Sequence, residues 1–427
     1  MNIPFNRRDF LKVVGAGAAG AALSSCASAP EVTKPVARVI VIGGGFGGAT
    51  AARYLRAWGG GAIEVYLIER NTQFVSCPLS NLVLGGSRRI EDLTFGYGKL
   101  RDQGIVVLHD EVKAVDPGKK KISLTKIADL GYDRLVVSPG IDFMHDQIAG
   151  YNAEAQKTVL HAWKAGPETV ALRRQLEAMK DGGVVLLSIP KAPYRCPPGP
   201  YERISQIASY LKRAKPRSKI LVLDGNEDIV SKKGLFLAAW NDMYKGLIEY
   251  KPNHEVKEVE AKASSVKTDF DTFKGDVLNV IPPQRAGNIA AQARLITTNN
   301  RWCDVDWLTM ESKAVPGIHV LGDATLSASA MPKSGSMANN HGKLAAAAIV
   351  AHLTGQPINP QPVIANTCYS YVSDKEAMHV ASVHRYDADK KTILPVAGAG
   401  GVSAQRSELE KGYADAWARN IWADALG

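Results

Sequence analysis

A glycine-rich run near the start of the chain, GGGFGG at residues 43–48, has the spacing of a phosphate-binding turn. Gly43 allows a tight turn, Gly45 lets the backbone approach a pyrophosphate, and Gly48 lets a helix pack closely on a strand. The run follows an apolar strand and opens a helix, whose N-terminus offers N–H donors and positive dipole to an anion. Glu69 closes the next predicted strand, where an acidic side chain can accept ribose hydroxyls. These residues predict a dinucleotide-binding turn.

The cysteines are the second group that could carry chemistry. The chain has 5 of them, namely Cys26, Cys77, Cys196, Cys303 and Cys368. Cys26 belongs to an export segment described below, and in an oxidising compartment the others could form structural disulfides with several possible connectivities. No Cys-x-x-Cys occurs, which argues against a zinc ribbon and a local redox pair, and no metal site is predicted. No Cys-x-x-Cys-His occurs, so this chain has no c-type haem attachment sequence of its own.

Two further segments bear on which dinucleotide is bound. GIHVLGDA at residues 317–324 resembles the second FAD motif of the glutathione-reductase-like flavoproteins, and SPG at 138–140 resembles a short turn of the same group. The resemblance implies FAD, with Asp323 bonded to the ribityl chain. A helix cap or a turn residue is the alternative for Asp323.

The second α/β segment has a proline-rich loop where a nicotinamide-binding protein would have glycines. Its strand at 183–189 is followed by PKAPYRCPPGP at 190–200. Proline has no N–H to offer a phosphate, so this loop cannot mimic a glycine-rich turn. The loop predicts an electron donor that is not a nicotinamide.

Three cysteine segments resemble the flavoprotein subunit of flavocytochrome c sulfide dehydrogenase. YRCPPGPYER at 194–203 and NTCYS at 366–370 are similar to its two redox-cysteine segments. VSCPLSN at 75–81 is similar to the segment whose cysteine holds the flavin covalently. The resemblance covers essentially the whole chain after residue 30, and these segments are more specific than the glycine-rich run.

The resemblance implies a disulfide between Cys196 and Cys368 beside the flavin and a thioether from Cys77 to FAD. Hydrosulfide would open the disulfide, because disulfides are broken by thiolate-like nucleophiles. Arg195, next to Cys196 in sequence, would favour the thiolate and attract the anion. Glu202 matches a family carboxylate and is a candidate proton acceptor. The expected catalytic residues are Cys196, Cys368 and Glu202, and the expected FAD-binding residues are Gly43, Gly45, Gly48, Glu69, Arg70, Cys77, Ser138, Pro139, Gly140, Gly322 and Asp323.

Each of these roles has a structural alternative. The Cys196–Cys368 bond could be only a staple between distant segments. Cys77 could be an unmodified buried thiol, and Glu202 a first-turn residue favoured by the helix dipole. Cys303 has no partner once the others are assigned and is interpreted as a small buried residue.

The predicted elements indicate an α/β protein with two Rossmann-like (glutathione-reductase-like) three-layer domains and a smaller C-terminal α+β module. Alternating strands and helices form both α/β segments, short alternating stretches at 255–260 and 263–267 form a hairpin, and the chain returns to the first domain at 276–281. A C-terminal amphipathic helix carries Trp417 and Trp422, which are interpreted as core anchors rather than electron relays. The expected boundaries are a signal segment at 1–30, an FAD-binding domain at 31–150 and 276–360, a second Rossmann-like domain at 151–275, and a C-terminal flavoprotein or interface module at 361–427.

The N-terminus predicts export. NRRDFLK at 6–12 resembles the twin-arginine motif and precedes a short apolar run at 13–23, too short to span a bilayer. Two cleavage sites fit: a lipoprotein box, LSSC at 23–26, that would leave Cys26 acylated, or ordinary cleavage at 27–29, which we favour slightly. The sequence predicts a periplasmic protein with no transmembrane segment.

The net charge of +10 fits an acidic protein partner or an anionic substrate, or a merely solvated basic surface. No dense Lys/Arg run with interleaved aromatics occurs, so nucleic acid is not expected. The resemblance implies oxidation of sulfide to sulfane sulfur or polysulfide, with electrons passed through FAD to a separate c-type cytochrome subunit in a heterodimer. The alternatives are a sulfide:quinone oxidoreductase, for which the C-terminal helix is too polar, a related enzyme using another thiol donor, or a non-catalytic flavin electron-transfer subunit.

Overall fold

The computed structural model describes residues 37–427. Its strands are β1 Ala37–Ile42, β2 Ile63–Ile68, β3 Gln73–Val75, β4 Thr94–Gly96, β5 Val106–Leu108, β6 Val112–Asp116, β7 Lys121–Leu124, β8 Leu130–Gly131, β9 Arg134–Val137, β10 Ile141–Phe143, β11 Val184–Ile189, β12 Lys219–Asp224, β13 Ile248–Lys251, β14 Glu258–Glu260, β15 Ser265–Lys267, β16 Thr272–Lys274, β17 Val277–Val280, β18 Gln284–Ala286, β19 Ile318–Val320, β20 Val363–Tyr371, β21 Ala377–Asp387 and β22 Thr392–Val402. Its α-helices are α1 Phe46–Gly59, α2 Asn81–Gly85, α3 Gly98–Asp102, α4 Pro167–Ala178, α5 Gly199–Ala214, α6 Lys233–Met243, α7 Asn288–Gln292, α8 Gly335–Thr354 and α9 Glu408–Leu426.

The first sheet is parallel and has the strand order β19-β9-β1-β2-β5. Strand β1 is buried along almost its whole length, as its continuous apolar sequence predicts for a strand covered on both faces. Helices α1 and α8 pack closely because small residues meet between them: a Cβ on Gly342 would lie 2.6 Å from the carbonyl oxygen of Gly47. This packing brings the N-termini of both helices to the carboxyl end of the sheet.

The second sheet is also parallel, with the order β13-β12-β11-β17. The point at which the chain returns from the second α/β unit to the first differs from the predicted one. Strand β17, Val277–Val280, pairs with β11 in the second sheet, and the next strand, Gln284–Ala286, is the one that pairs with β10 of the first unit. The return therefore lies after residue 280 rather than at 276–281. A buried apolar strand fits either sheet by pattern alone, and only its pairing distinguishes them.

The remaining predicted elements form largely where expected. The hairpin is present as the antiparallel pair β14 and β15, and the mixed α/β class with parallel sheets is confirmed. The C-terminal part is an antiparallel meander, β20-β21-β22, followed by α9. Within residues 37–427 no helix is long and apolar enough to cross a membrane, and no cluster of metal-binding side chains occurs. The twin-arginine segment and Cys26 lie outside the described residues.

Helix α9 is fastened to the body of the protein by polar contacts. Asp424 accepts hydrogen bonds from Tyr54 and Asn339 and pairs with Lys343, while Asp415 accepts from Arg88. Trp422, on the same helix, donates from Nε1 to Ser76 Oγ at 2.9 Å and packs on Phe95. These contacts hold the helix against the segment that contains Cys77.

Candidate active site

A cavity of about 990 Å³ connects the glycine-rich turn to the cysteine segments. Every expected site residue except Gly48 lines it: Gly43, Gly45, Glu69, Arg70, Cys77, Ser138, Pro139, Gly140, Cys196, Glu202, Gly322, Asp323 and Cys368. A Cβ on Gly48 would lie 1.8 Å from the carbonyl oxygen of Gly43, so this glycine acts beneath the turn by letting α1 approach β1. The fold thus brings segments from all parts of the described chain to one cavity.

The glycine-rich end of the cavity has the features of a pyrophosphate site. Gly43 has φ +97°, a conformation that favours glycine, and a Cβ there would lie 2.3 Å from the Ser138 carbonyl oxygen. The position of a Cβ on Gly45, by contrast, has nothing within 4 Å, and Gly45 is the N-cap of α1. Space and free N–H donors therefore coincide at a helix N-terminus, as anion binding requires.

Glu69 is held in place beside this turn. Its Oε2 accepts a hydrogen bond of 2.7 Å from the backbone N–H of Gly44, and its Oε1 accepts from the backbone and side chain of Asn71. A carboxylate has about four lone-pair sites, so acceptor capacity remains for a ribose. Arg70 lines the same end and forms a long, exposed ion pair with Glu111.

Asp323 carries a buried carboxylate oxygen that has no partner among the described residues. Among the described residues its Oδ1 has no hydrogen-bond partner, and burial raises the pKa of Asp323, while the charges of Arg195 and Lys333 lower it. An unpaired buried polar atom is costly, so its presence points to a ligand that would supply the donor. The hydroxyls of a ribityl chain fit this requirement, and together with the open pyrophosphate turn they make FAD the group that these residues fit.

Cys196 and Cys368 both line the cavity, from the loop before α5 and from β20. The loop is anchored by a 2.7 Å hydrogen bond from Cys196 N to the Lys333 carbonyl oxygen, and Cys196 has φ +55°. Burial is the main cause that raises the pKa of Cys196, followed by the neighbouring Cys368 and Glu202. The residue as a whole is exposed and lines the cavity, whereas protein atoms surround its thiol, and this enclosure of the thiol is the burial that raises its pKa. Both cysteines are free thiols in the structure, so the disulfide stays a prediction.

Glu202, in the first turn of α5, links three segments. Its Oε1 accepts from the backbone N–H of Tyr371 at 2.8 Å, and its Oε2 accepts from Asn81 Nδ2 at 2.8 Å. Burial raises the pKa of this carboxyl group, and the two hydrogen bonds oppose that rise. Arg203 completes the network by donating to Asn81 Oδ1. The arrangement supports both a structural role and a proton-accepting one.

Arg195 contacts the sulfur of Cys77 and not, as its sequence position suggested, that of Cys196. Its Nη2 lies 3.1 Å from Cys77 Sγ and also donates to the Trp163 carbonyl oxygen. The guanidinium is still close enough to lower the pKa of Cys196, although less than burial raises it. Cys77 is half-buried, and Cys303 is fully buried, as expected for a small core residue.

Lys232 is a site residue that the sequence did not indicate. Its Nζ donates to the Cys368 carbonyl oxygen at 3.0 Å and to Ser370 Oγ at 2.8 Å, directly behind the cysteine, and its side chain is buried. Burial lowers the pKa of Lys232 to about 8, against an opposing influence from Cys368 and Glu202. Sequence pattern predicts that a lysine in a short polar turn is exposed to solvent. No local feature of the sequence therefore distinguishes Lys232 from its neighbour Lys233.

The buried amine predicts a pH-dependent stability difference. Because the pKa of Lys232 is about 8 in the folded chain and 10.5 ordinarily, the unfolded chain binds more protons between these values. The free energy of unfolding of the wild type relative to Lys232→Met should therefore rise across this window, by up to about 3 kcal/mol. Urea unfolding at several pH values measures the difference. Lys233→Met, at an exposed neighbouring position, is the control, and a flat difference for Lys232→Met would contradict the prediction.

The place of a nicotinamide ribose in the second sheet is filled by protein side chains. Asp224 closes β12, the second strand of a βαβ unit, where an acidic residue would bind ribose. Its carboxylate instead accepts hydrogen bonds from Tyr201, Tyr250 and Asn226, and it is fully buried. With the proline-rich loop on its other side, this site offers neither a phosphate turn nor a free ribose acceptor.

Family models match most of the chain. The model described as "Sulfide dehydrogenase [flavocytochrome c] flavoprotein chain, central" matches residues 169–282, and "Flavocytochrome c sulphide dehydrogenase, flavin-binding" matches 360–426. A pyridine nucleotide-disulphide oxidoreductase model matches residues 37–175. A twin-arginine translocation signal model matches residues 4–24, outside the described part of the chain.

Individual relatives agree with these models. A sulfide dehydrogenase [flavocytochrome c] flavoprotein chain from Chlorobaculum thiosulfatiphilum is 56% identical over 46 residues, 11% of this chain and 94% of that sequence. A mitochondrial sulfide:quinone oxidoreductase from Mus musculus is 22% identical over 313 residues, 67% of this chain. The match spans 65% of the mouse protein's length.

Solved structures share the fold. The sulfide:quinone oxidoreductase from Aquifex aeolicus matches with a TM-score of 0.73 at 18% identity, over 91% of each chain. An NAD-dependent persulfide reductase from A. fulgidus matches with a TM-score of 0.61 at 16% identity, over 91% of this chain and 77% of that one. At these identities the likeness concerns the fold alone.

Proposed function

Because the chain belongs to the family of flavocytochrome c sulfide dehydrogenase flavoprotein chains, we propose that it oxidises sulfide to sulfane sulfur or polysulfide and passes the electrons to a c-type cytochrome subunit. FAD is the cofactor that the site fits, and the enzyme is a flavin-dependent oxidoreductase. The observation that carries the proposal is one cavity lined both by the pyrophosphate turn and by Cys196 and Cys368.

The proposed chemistry begins with a Cys196–Cys368 disulfide. Hydrosulfide attacks one sulfur, the S–S bond breaks, and its electron pair leaves on the other sulfur as a thiolate. The attacked cysteine then carries a persulfide, which retains the proton of hydrosulfide, so atoms and charge balance. FAD, when bound, would supply a two-electron acceptor that releases electrons singly. A second sulfur anion would release the sulfane sulfur and leave both cysteines reduced, and the two electrons for FAD would be those given up when the disulfide forms again.

Several side chains would support this reaction. The buried ammonium of Lys232 and the guanidinium of Arg195 are positive charges near the place where anionic sulfur forms. In a buried site such charges stabilise an anion more than they would in water. Glu202 lines the cavity, and its raised pKa makes its carboxylate a stronger base than an ordinary one.

The location and covalent state follow the same family. The twin-arginine match supports export to the periplasm, and cleavage would occur either before Cys26, with acylation, or at 27–29. A thioether from Cys77 to FAD would fix the cofactor from the side that α9 covers. The mass of the purified mature chain under denaturing conditions measures both the cleavage site and the flavin link.

A sulfide:quinone oxidoreductase is the second candidate, favoured by the likeness to the mouse and Aquifex proteins. Helix α9 argues against it, since the contacts of Asp415 and Asp424 with the protein body leave that helix little freedom to enter a membrane. Cytochrome transfer is therefore the preferred proposal.

The electron acceptor is tested by steady-state turnover with sulfide. We expect reduction of added c-type cytochrome to exceed reduction of a soluble ubiquinone analogue at least tenfold, about 1.4 kcal/mol in transition-state terms. The cytochrome rate should fall as ionic strength rises, because a basic surface would dock an acidic partner. Faster turnover with the quinone, without salt dependence, would replace this proposal with the quinone oxidoreductase.

A further inference from the structure

We propose that Arg195 promotes the attachment of FAD to Cys77 by stabilising the thiolate that attacks the flavin. This inference rests on the covalent link proposed above. Its basis is the contact between the Arg195 Nη2 and Cys77 Sγ at 3.1 Å, made by two residues that lie far apart in sequence and line the same cavity. Arg195 would then serve cofactor attachment, in addition to any influence on the neighbouring redox cysteine.

The guanidinium is held in position by contacts on both sides. The backbone N–H of Arg195 donates to the buried Gln284 Oε1 at 2.9 Å, and the side chain donates to the Trp163 carbonyl oxygen. The next residue, Cys196, anchors the loop through its N–H to Lys333. A planar donor group that is fixed in this way loses little freedom when it binds an anion.

The charge of Arg195 is available to Cys77. Among residues 37–427, no carboxylate forms a salt bridge with Arg195 within 4.0 Å. The charge of Arg195 also lowers the pKa of Asp323, which lines the same cavity. A cation without an ion-pair partner in a partly buried site gains most when a negative charge forms beside it.

The chemistry of attachment requires such a charge. The thiolate, not the thiol, is the nucleophile, and it would bond to a methyl carbon of the flavin's benzenoid ring. One methyl C–H bond and the S–H bond break, the C–S bond forms, and two electrons and two protons end on the ring system, which becomes reduced. The cytochrome acceptor proposed above, or dioxygen in vitro, reoxidises it. In this step Arg195 acts by hydrogen bonding and by its positive charge.

The position of Cys77 suits this role. Ser76 is fixed by a hydrogen bond from Trp422, and Cys77 itself accepts at its carbonyl oxygen from Ser80 N. These contacts hold the backbone at Cys77, and the thiol lies within 3.1 Å of the Arg195 Nη2. Arg195 reaches Cys77 from a loop 118 positions further along the chain, so tertiary packing, and not sequence proximity, produces the contact.

The test measures covalent flavin, a readout separate from turnover. The variants Arg195→Gln and Arg195→Met are expressed with the export signal and purified. Each protein is then denatured with acid, and the flavin that stays attached to the precipitated chain is measured by mass and by fluorescence. Supplied with excess FAD, both variants should attach it about 10- to 100-fold more slowly than the wild type, the effect of losing a charged hydrogen bond. Arg195→Lys should recover part of the rate.

The controls separate this inference from the proposed link. Arg217→Met removes an exposed arginine that pairs with Asp181 and does not line the cavity, so this variant should attach FAD at the wild-type rate. Cys77→Ser should carry only dissociable FAD. If the wild type carries no covalent flavin, the proposed Cys77 link itself is wrong. If the wild type is linked and either uncharged Arg195 variant attaches FAD at the same rate, the role of Arg195 is overturned.

Discussion

Cys368→Ser and Cys196→Ser are each expected to abolish reduction of the bound flavin by sulfide, with a fall in rate on the order of 10³-fold or more. Each serine removes one half of the bond that hydrosulfide must open, and a hydroxyl group cannot form a persulfide or a disulfide. Because both residues line the cavity, either substitution interrupts the same step. The measurement is an anaerobic titration with sulfide, followed by the loss of flavin absorbance.

A matched control is available in Cys303, the buried cysteine that takes no part in the proposed chemistry. Cys303 is fully buried in the core of the first unit and does not line the cavity. Cys303→Ala should therefore keep normal flavin reduction, at a stability cost of about 1 kcal/mol for the small cavity it leaves. If Cys368→Ser still bleached the flavin at the wild-type rate, the pair would be only a staple, and the chain a non-catalytic electron-transfer subunit or a flavoprotein with other substrate chemistry.

Substitutions in the glycine-rich turn should separate cofactor binding from folding. A Cβ on Gly45 has no protein atom within 4 Å, so Gly45→Ala should fold normally, yet it would project where the pyrophosphate approaches. We expect FAD to bind at least about tenfold more weakly, a loss of about 1.4 kcal/mol. The measurement uses a Cys77→Ser background, so that FAD can exchange, and follows quenching of flavin fluorescence.

Gly48→Ala should instead affect the stability of the fold before it affects FAD binding. Its Cβ would lie 1.8 Å from the Gly43 carbonyl oxygen, so the helix must move away from the strand, at a cost of about 2–3 kcal/mol in the free energy of unfolding. Gly61→Ala, where a Cβ also meets nothing within 4 Å but which lies away from the cavity, is the control and should change neither property. Unchanged FAD affinity in Gly45→Ala would show that the cofactor does not approach this turn.

The polar contacts around the cysteines explain how a loop and a strand from distant parts of the chain hold one geometry. Glu202 accepts hydrogen bonds from the strand of Cys368, at Tyr371, and from the helix after Cys77, at Asn81. Lys232 donates to the Cys368 carbonyl oxygen and to Ser370 Oγ on the same strand. Loss of any one of these groups would leave buried partners unsatisfied, which typically costs 1–3 kcal/mol. The redox segments are thus positioned by a network rather than by a single element.

Local patterns were sufficient for the glycine-rich turn of the first unit and for one hairpin elsewhere in the chain. The glycine spacing at 43–48 predicts a turn, a helix and close packing because each glycine answers a backbone requirement within a few residues. Glu69 follows from the end of the next strand, and the structure places its carboxylate on the same turn. The short hairpin after residue 255 was also predicted correctly from alternation alone. These features depend on neighbours along the chain.

Long-range packing decided the rest. The pairing of Val277–Val280 with the second sheet, the direction of Arg195 towards Cys77 and the burial of Lys232 all depend on contacts between segments more than 90 positions apart. An apolar strand, an arginine and a lysine look the same in sequence whichever partner they meet, because their partners are chosen only when sheets and helices pack. The sequence by itself determined which residue types were available for sulfur and flavin chemistry, and the tertiary structure determined which of them share one cavity.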